Sequence, residues 1–185
     1  MHKKKRRVRE IKKVFSTPWF DLLAKTIESD EANGPYYALK TPDYVSVVAM
    51  TSQDEIVLIR QYRPAVEQFT LELPSGHVEI NETPEEATRR ELLEETGFQA
   101  HKLEFLGSLI PDSGRMQNRM WCYWAHSPTW SPSTSASEPG LDVEVCTQSG
   151  LADLIASEKF SHSLHLSTVY LAVLKGYLTK VQLAG

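Results

Sequence analysis

Residues 76–98 read GHVEINETPEEATRRELLEETGF, and the order of side chains in this run decides the fold around it. Thr83, Pro84 and Glu86 spell a helix start: a threonine N-cap, a proline at the first helical position where no N–H is needed, and a capping-box partner three residues on. Gly97 suits the left-handed position just past a helix C-terminus, so the spacing predicts a helix over 84–96. On that helix Glu91 stands three residues from Glu94 and four from Glu95, which sets three carboxylates over neighbouring patches of one face. Such like charges repel and cost helix stability unless a hard cation such as Mg²⁺ sits among their oxygens. A solvated face on a glutamate-rich surface helix is the plainer account of the same residues.

The neighbouring residues bear on that choice. Gly76, Glu82, Arg90, Glu91, Leu92, Glu94, Glu95, Gly97 and Phe98 fill every fixed position of Gly-x5-Glu-x7-Arg-Glu-U-x-Glu-Glu-x-Gly-U, where U is bulky and apolar. The run resembles the Nudix hydrolase signature. That resemblance implies an enzyme that cleaves a nucleoside diphosphate linked to another moiety, with Mg²⁺ or Mn²⁺ held against the pyrophosphate by a loop, helix, loop unit. It implies Glu91 and Glu95 as metal ligands, Glu94 as ligand or water-positioning group, the Ser75 carbonyl as a further ligand, and Arg90 as a brace for Glu82, with Gly76 and Gly97 structural. Metal ions so placed would neutralise the pyrophosphate and bring a bound water towards ionisation at neutral pH. No protein nucleophile is then required, and the chain has no Gly-x-Ser-x-Gly, Walker loop or Cys/His pairing to suggest one. His77 occupies a free position of the pattern and reads as a solvated loop residue.

Composition agrees with this reading. A chain of 185 residues with 41% hydrophobic content suits one domain with a substantial core and a short N-terminal extension. The absence of a bilayer-length apolar stretch or a signal-peptide pattern gives the expectation of a soluble, cytoplasmic protein without a membrane partner. Cys122 and Cys146 lie in strand-like runs without metal spacing, as reduced core residues would. Eight basic residues against Glu10 place +7 on residues 1–13, which leaves −11 for the remainder of a chain of net charge −4. This basic arm is a possible nucleic-acid contact, but an N-terminal strand or solubilising tail explains it at least as well, and it lacks interleaved aromatic residues.

Strand patterns occur at 44–50 and 55–62, joined as a hairpin through 51–54, and again at 70–73, 103–110, 120–125 and 143–146. Residues 150–157 and 161–175 read as helices, the second with Leu164, Thr168, Leu171 and Leu174 along one side. The implied class is α+β, an α/β/α sandwich around a mixed sheet. Its expected organisation is a basic arm over 1–13, N-terminal strands over 14–42 and a catalytic domain over 43–180.

The stretch VLIRQYRPAVEQFTLELPSG, residues 57–76, is similar to the approach loop of ADP-ribose and related nucleoside-diphosphate-sugar pyrophosphatases within the superfamily. This implies that Arg63 reaches substrate phosphates or ribose, a task suited to its donor fork, and that Glu72 lines the same site. It also implies a small N-terminal antiparallel sheet that helps form a homodimer, within which Trp19, Tyr36 or Tyr37 would stack an adenine. The polar stretch 126–140 shows no strand or helix and reads as a functional loop; Glu138, then Glu144 at its exit, are the candidates for the carboxylate that activates water. One departure bears on the substrate: Pro111 to Arg115 carries no glutamate where that branch often has one, so Arg115 and Arg119 are alternative phosphate contacts.

The expected function is therefore metal-dependent hydrolysis of ADP-ribose or a similar nucleotide sugar to a nucleoside monophosphate and a sugar phosphate. A dinucleoside polyphosphate or capped RNA is the alternative substrate, and a non-catalytic nucleotide-binding regulator is the alternative from another class.

Overall fold

The structure, a computed structural model, describes residues 7–28, 34–131 and 140–179. It divides into two units, residues 1–43 with 110–119 and residues 44–109 with 120–185. In the first, β1 (Val8–Ser16), β2 (Asp21–Ile27) and β3 (Tyr36–Lys40) form an antiparallel sheet in the order β1-β2-β3. The boundary expected after residue 13 falls inside β1. Residues 110–119 join this unit through Leu39, whose N–H donates to the Arg115 carbonyl and whose carbonyl accepts from Gln117 N–H.

The second unit is built on β4 (Tyr44–Met50), β5 (Glu55–Arg63), β6 (Gln68–Glu72) and β7 (Ser75–His77), followed by α1 (Pro84–Thr96). The chain continues through β8 (Phe98–Gln99), β9 (Lys102–Leu109), β10 (Met120–His126), β11 (Thr129–Trp130), β12 (Leu141–Thr147), α2 (Gln148–Ala156) and α3 (Ser163–Leu174). The main sheet runs β12-β5-β4-β10-β9, with β6 against β5 and β7 against β4. Among the described residues of this sheet only the β4–β10 pair is parallel, from Tyr44 opposite Met120 to Met50 opposite His126, so the sheet is mixed.

Alternation along β4 explains the layers. Val48 and Met50 face a core shared with Leu151 of α2 and Val169 and Ala172 of α3, whereas Val47 and Ala49 face Leu92 of α1. A strand buried on both faces must read as a continuous apolar run, which is why YVSVVAM shows no polar alternation. The α+β sandwich follows, with α1 on one face and α2 and α3 on the other. The 84–96 helix forms with its Thr83–Glu86 capping box, and Gly97, at φ 73°, closes it by donating to the Leu93 carbonyl.

Two details differ from the sequence pattern. Residues 129–130 of the expected loop pair with β8, the backbone of a two-residue strand finding a partner that pattern alone does not reveal. The buried side of α3 carries His165, Thr168, Val169 and Ala172, while Leu174 is 61% exposed. Leu164 and Leu171 still pack at the edge of the core, so the buried stripe is centred one residue on from the leucines, where the helix meets the sheet.

Candidate active site

The acidic cluster combines α1 with the strand before it. Glu95 follows Leu92 by three residues on the core-facing side, so it is buried, and its Oε2 accepts the Ser75 N–H at 2.8 Å. Glu91 is largely covered and accepts from Arg90 Nη1 at 2.8 Å, while the half-exposed Glu94 accepts from the same nitrogen at 3.1 Å. Arg90 also grips Glu82 with two donors, Nε to Oε1 at 2.8 Å and Nη2 to Oε2 at 2.9 Å, and reaches the His77 carbonyl at 3.0 Å. This grip holds the Glu82 carboxyl below its ordinary value.

Three carboxylates, Glu82, Glu91 and Glu94, thus share one guanidinium, and Glu95 lies on the backbone of Ser75. The donor set is all oxygen, from shielded to solvent-open, and it fits a hard divalent cation better than any neutral ligand. Gly76 makes the arrangement possible: a Cβ there would lie 2.1 Å from the Glu91 carboxylate carbon.

Beside this cluster, at the end of β6, lies a second network built on a fully buried carboxylate. Glu72 has no exposed surface; it accepts Arg63 Nε at 2.8 Å, Arg63 Nη2 at 2.6 Å and the Thr70 hydroxyl at 2.6 Å. Burial pushes this carboxyl up, but the Arg63 and Thr70 hydrogen bonds and the Arg63 charge outweigh it and bring it down to about 2. The bond uses the Nε–Nη2 edge of Arg63 and leaves Nη1 available on a partly exposed guanidinium.

His165 completes the network. The Leu73 N–H can only donate, so His165 Nδ1 accepts it, at 3.1 Å; the ring proton is then on Nε2, which donates to the Tyr44 hydroxyl at 2.9 Å. Losing the acceptor would strand a buried N–H at about 1–3 kcal/mol. Burial, the neighbouring His162 and the Arg63 charge hold His165 down to about 3, with Glu72 opposing, so it is neutral near pH 7. Glu72, His162 and His165 offer ligand atoms within 4.8 Å of one another. They make a poor cation site, because Arg63 already neutralises Glu72 and both His165 nitrogens are engaged.

Arg63, Arg60, Phe69, Thr70, Lys159 and His162 line a cavity of about 630 Å³, within the ordinary range for a small-molecule site. Arg60 lies over the Phe69 ring at 4.8 Å, and the buried Nδ1 of His162 has no hydrogen-bond partner.

The other candidates are placed as follows. Glu138 lies outside the described residues. Glu144 is exposed in the middle of β12, opposite Leu58, rather than on a loop. Trp19 is 71% exposed in the turn between β1 and β2. In the same unit the Tyr36 hydroxyl donates to the Gly114 carbonyl, and Arg115 pairs with Asp112 at 3.2 Å. Glu72, expected to line the substrate site, is among the residues around the cavity, with its oxygens bonded to Arg63 and Thr70. Tyr44, Thr70, His162 and His165 were not evident from sequence. The one signal for His165 was a polar residue at helical spacing from Thr168 and Val169, concealed by the misplaced stripe.

Comparison with known proteins bears on the whole arrangement. Residues 40–154 match the NUDIX domain family. The chain is 34% identical over 102 residues to "ADP-ribose pyrophosphatase" of Bacillus subtilis, covering 55% of each protein. It is 37% identical over 76 residues to "Methanol dehydrogenase activator" of Bacillus methanolicus, covering 41% of each. The chain therefore spans about half the length of these curated relatives. A crystal structure of an ADP compounds hydrolase superposes with a TM-score of 0.78 over 94% of this chain and 96% of that one, at 24% identity, which shows a shared fold.

Two outcomes follow from the geometry. Gly76→Ala forces the Glu91 carboxylate aside and weakens Mn²⁺ binding by about tenfold with little change in unfolding midpoint, as isothermal titration and urea denaturation would report. The His165 value lies below the ordinary 6.5, so its contribution to stability is complete above pH 6.5 and falls by about 1.4 kcal/mol per pH unit below it. The Glu72 contribution is complete above about 4.5 and is lost as pH falls towards 2, so the decline steepens there. Urea midpoints measured from pH 7.5 to 4 should trace this curve, and His165→Asn should flatten its upper part.

Proposed function

Since the chain belongs to the NUDIX domain family, we propose that it is a metal-dependent hydrolase that splits ADP-ribose or a related nucleoside diphosphate sugar into a nucleoside monophosphate and a sugar phosphate. The observation that supports this reading is the acidic cluster of α1, in which Glu91 and Glu94 share the Arg90 guanidinium, Glu91 lies against Gly76 and Glu95 accepts the Ser75 N–H. Glu91, Glu94, Glu95 and the Ser75 carbonyl would hold Mg²⁺ or Mn²⁺. When bound, such ions supply charge neutralisation at the pyrophosphate and a more acidic water.

The remaining work falls to the chain. Arg90 keeps the carboxylates at one end of α1 and fixes the His77 peptide beside them. Glu72 aims Arg63, whose Nη1 is left for a phosphate or ribose oxygen of a substrate lying in the cavity. Glu138, then Glu144, is the candidate base that takes a proton from water, and the half-exposed Glu94 serves as metal ligand or water-positioning group. Water adds to phosphorus, the bridging oxygen leaves with the sugar phosphate or the nucleotide, and the proton lost by water passes to the carboxylate. Trp19, Tyr36 and Arg115 are candidates for further substrate contacts. The same reading takes residues 1–13 as a basic arm, 14–42 as dimer-forming strands and 43–180 as the catalytic domain, with β1 running through the first boundary. A cytoplasmic homodimer is part of it, supported by the exposed Val8, Ile11, Val14 and Phe15 of edge strand β1.

Release of monophosphate from ADP-ribose, other ADP-sugars, GDP-mannose, a dinucleoside polyphosphate and capped RNA, with Mg²⁺ or Mn²⁺, tests the substrate. ADP-ribose should lead, and Glu95→Gln should reduce turnover on the order of a hundredfold or more. Cleavage of another member would keep the chemistry and discard the sugar, whereas no cleavage would favour a nucleotide-binding regulator. Sedimentation equilibrium should return twice the 20.9 kDa chain mass, and Phe15→Glu should shift it towards one chain.

A further inference from the structure

The bend between β6 and β7 is where the two buried networks meet. Pro74 has no N–H, so Leu73 and Ser75 are the backbone donors on either side of it. The Ser75 N–H is taken by Glu95 of α1 at 2.8 Å, and the Leu73 N–H by His165 of α3 at 3.1 Å. The Pro74 carbonyl between them accepts Val47 N–H at 3.0 Å. Three elements on different layers of the sandwich therefore fix three consecutive residues, the last of which is joined to the acidic cluster by its N–H. The imidazole is itself held, since its Nε2 donates to Tyr44 on β4, the residue paired with His77 beyond the bend. His165 thus ties the start of the segment directly and its end through Tyr44.

We propose that His165 is a positioning residue for the metal-binding loop: its neutral imidazole sets the Leu73–Pro74–Ser75 backbone so that the Ser75 carbonyl and the Glu95 carboxylate face the same ion. This rests on the reading of the acidic cluster as a metal site. The role needs an acceptor on one ring edge and a donor on the other, held without charge in a closed core. Leucine supplies neither. Asparagine places an oxygen near the position of Nδ1 and keeps the Leu73 bond, whereas glutamine places its amide near Nε2 and keeps only the Tyr44 bond. Freed from His165, Leu73 turns with its peptide, and the displacement reaches Ser75 and the carboxylate it anchors.

Mn²⁺ titration of the full chain followed by electron paramagnetic resonance, without substrate, reads this directly. His165→Leu and His165→Gln should weaken Mn²⁺ binding by about tenfold, and His165→Asn should stay within about threefold of wild type. Val169→Ala, which opens space in the same buried side of α3, lowers the unfolding midpoint and leaves Mn²⁺ affinity unchanged. Should His165→Leu fail to fold, the order of the asparagine and glutamine variants decides. Equal affinity in those two, or an equal loss in Val169→Ala, would overturn the proposal and leave His165 a packing residue. A wild type that binds no Mn²⁺ would remove the metal site itself and the proposal with it.

Discussion

Repulsion among the carboxylates gathered by α1 is the constraint to which the rest of the structure answers. Glu82, Glu91 and Glu94 all contact Arg90, and Glu95 avoids the crowd only by sinking into the core to meet the Ser75 N–H. One guanidinium cannot balance four carboxylates, so the cluster is left poised for added positive charge. Its cost to the helix is offset by local devices: the Thr83–Glu86 capping box at the start and Gly97 at the end. Burial of Ala87, Thr88 and Leu92 anchors α1 against the sheet.

The sheet earns its place by holding the loop that faces this helix. β4 is covered on both faces, so it cannot shift without disturbing two cores, and β7 pairs with it from Tyr44 opposite His77 to Ser46 opposite Ser75. Gly76 lies between, where only the absence of a side chain lets the Glu91 carboxylate approach the strand. A rigid strand, a glycine and a buried glutamate together make the oxygen-lined corner.

Behind that corner, the Arg63–Glu72 pair and His165 form a second layer. An ion pair with one member at zero exposure is costly to desolvate and gives modest net stability. Its value here lies in direction: two hydrogen bonds fix the plane of the Arg63 guanidinium, and Thr70 fixes Glu72. Arg63 is thereby held at the rim of the cavity instead of sweeping through solvent.

Local chemistry made much of this legible before any coordinates. The α1 cap residues, the terminal glycine, the spacing of Glu91, Glu94 and Glu95, and the apolar run of β4 each act within a few residues of themselves, and periodicity records such short-range demands. Sequence by itself therefore determined the box helix, the mixed sheet flanked by helices and, through the matched signature, the family. Tertiary structure alone decided the burial of Glu72, the one-residue rotation of the α3 stripe that brings His165 inward, and the bond from that imidazole to Leu73, ninety-two residues away. Those depend on which surfaces meet across the sheet. Hydrogen-bond partners distant in sequence leave no periodic trace, because each residue satisfies its local pattern equally well with or without them.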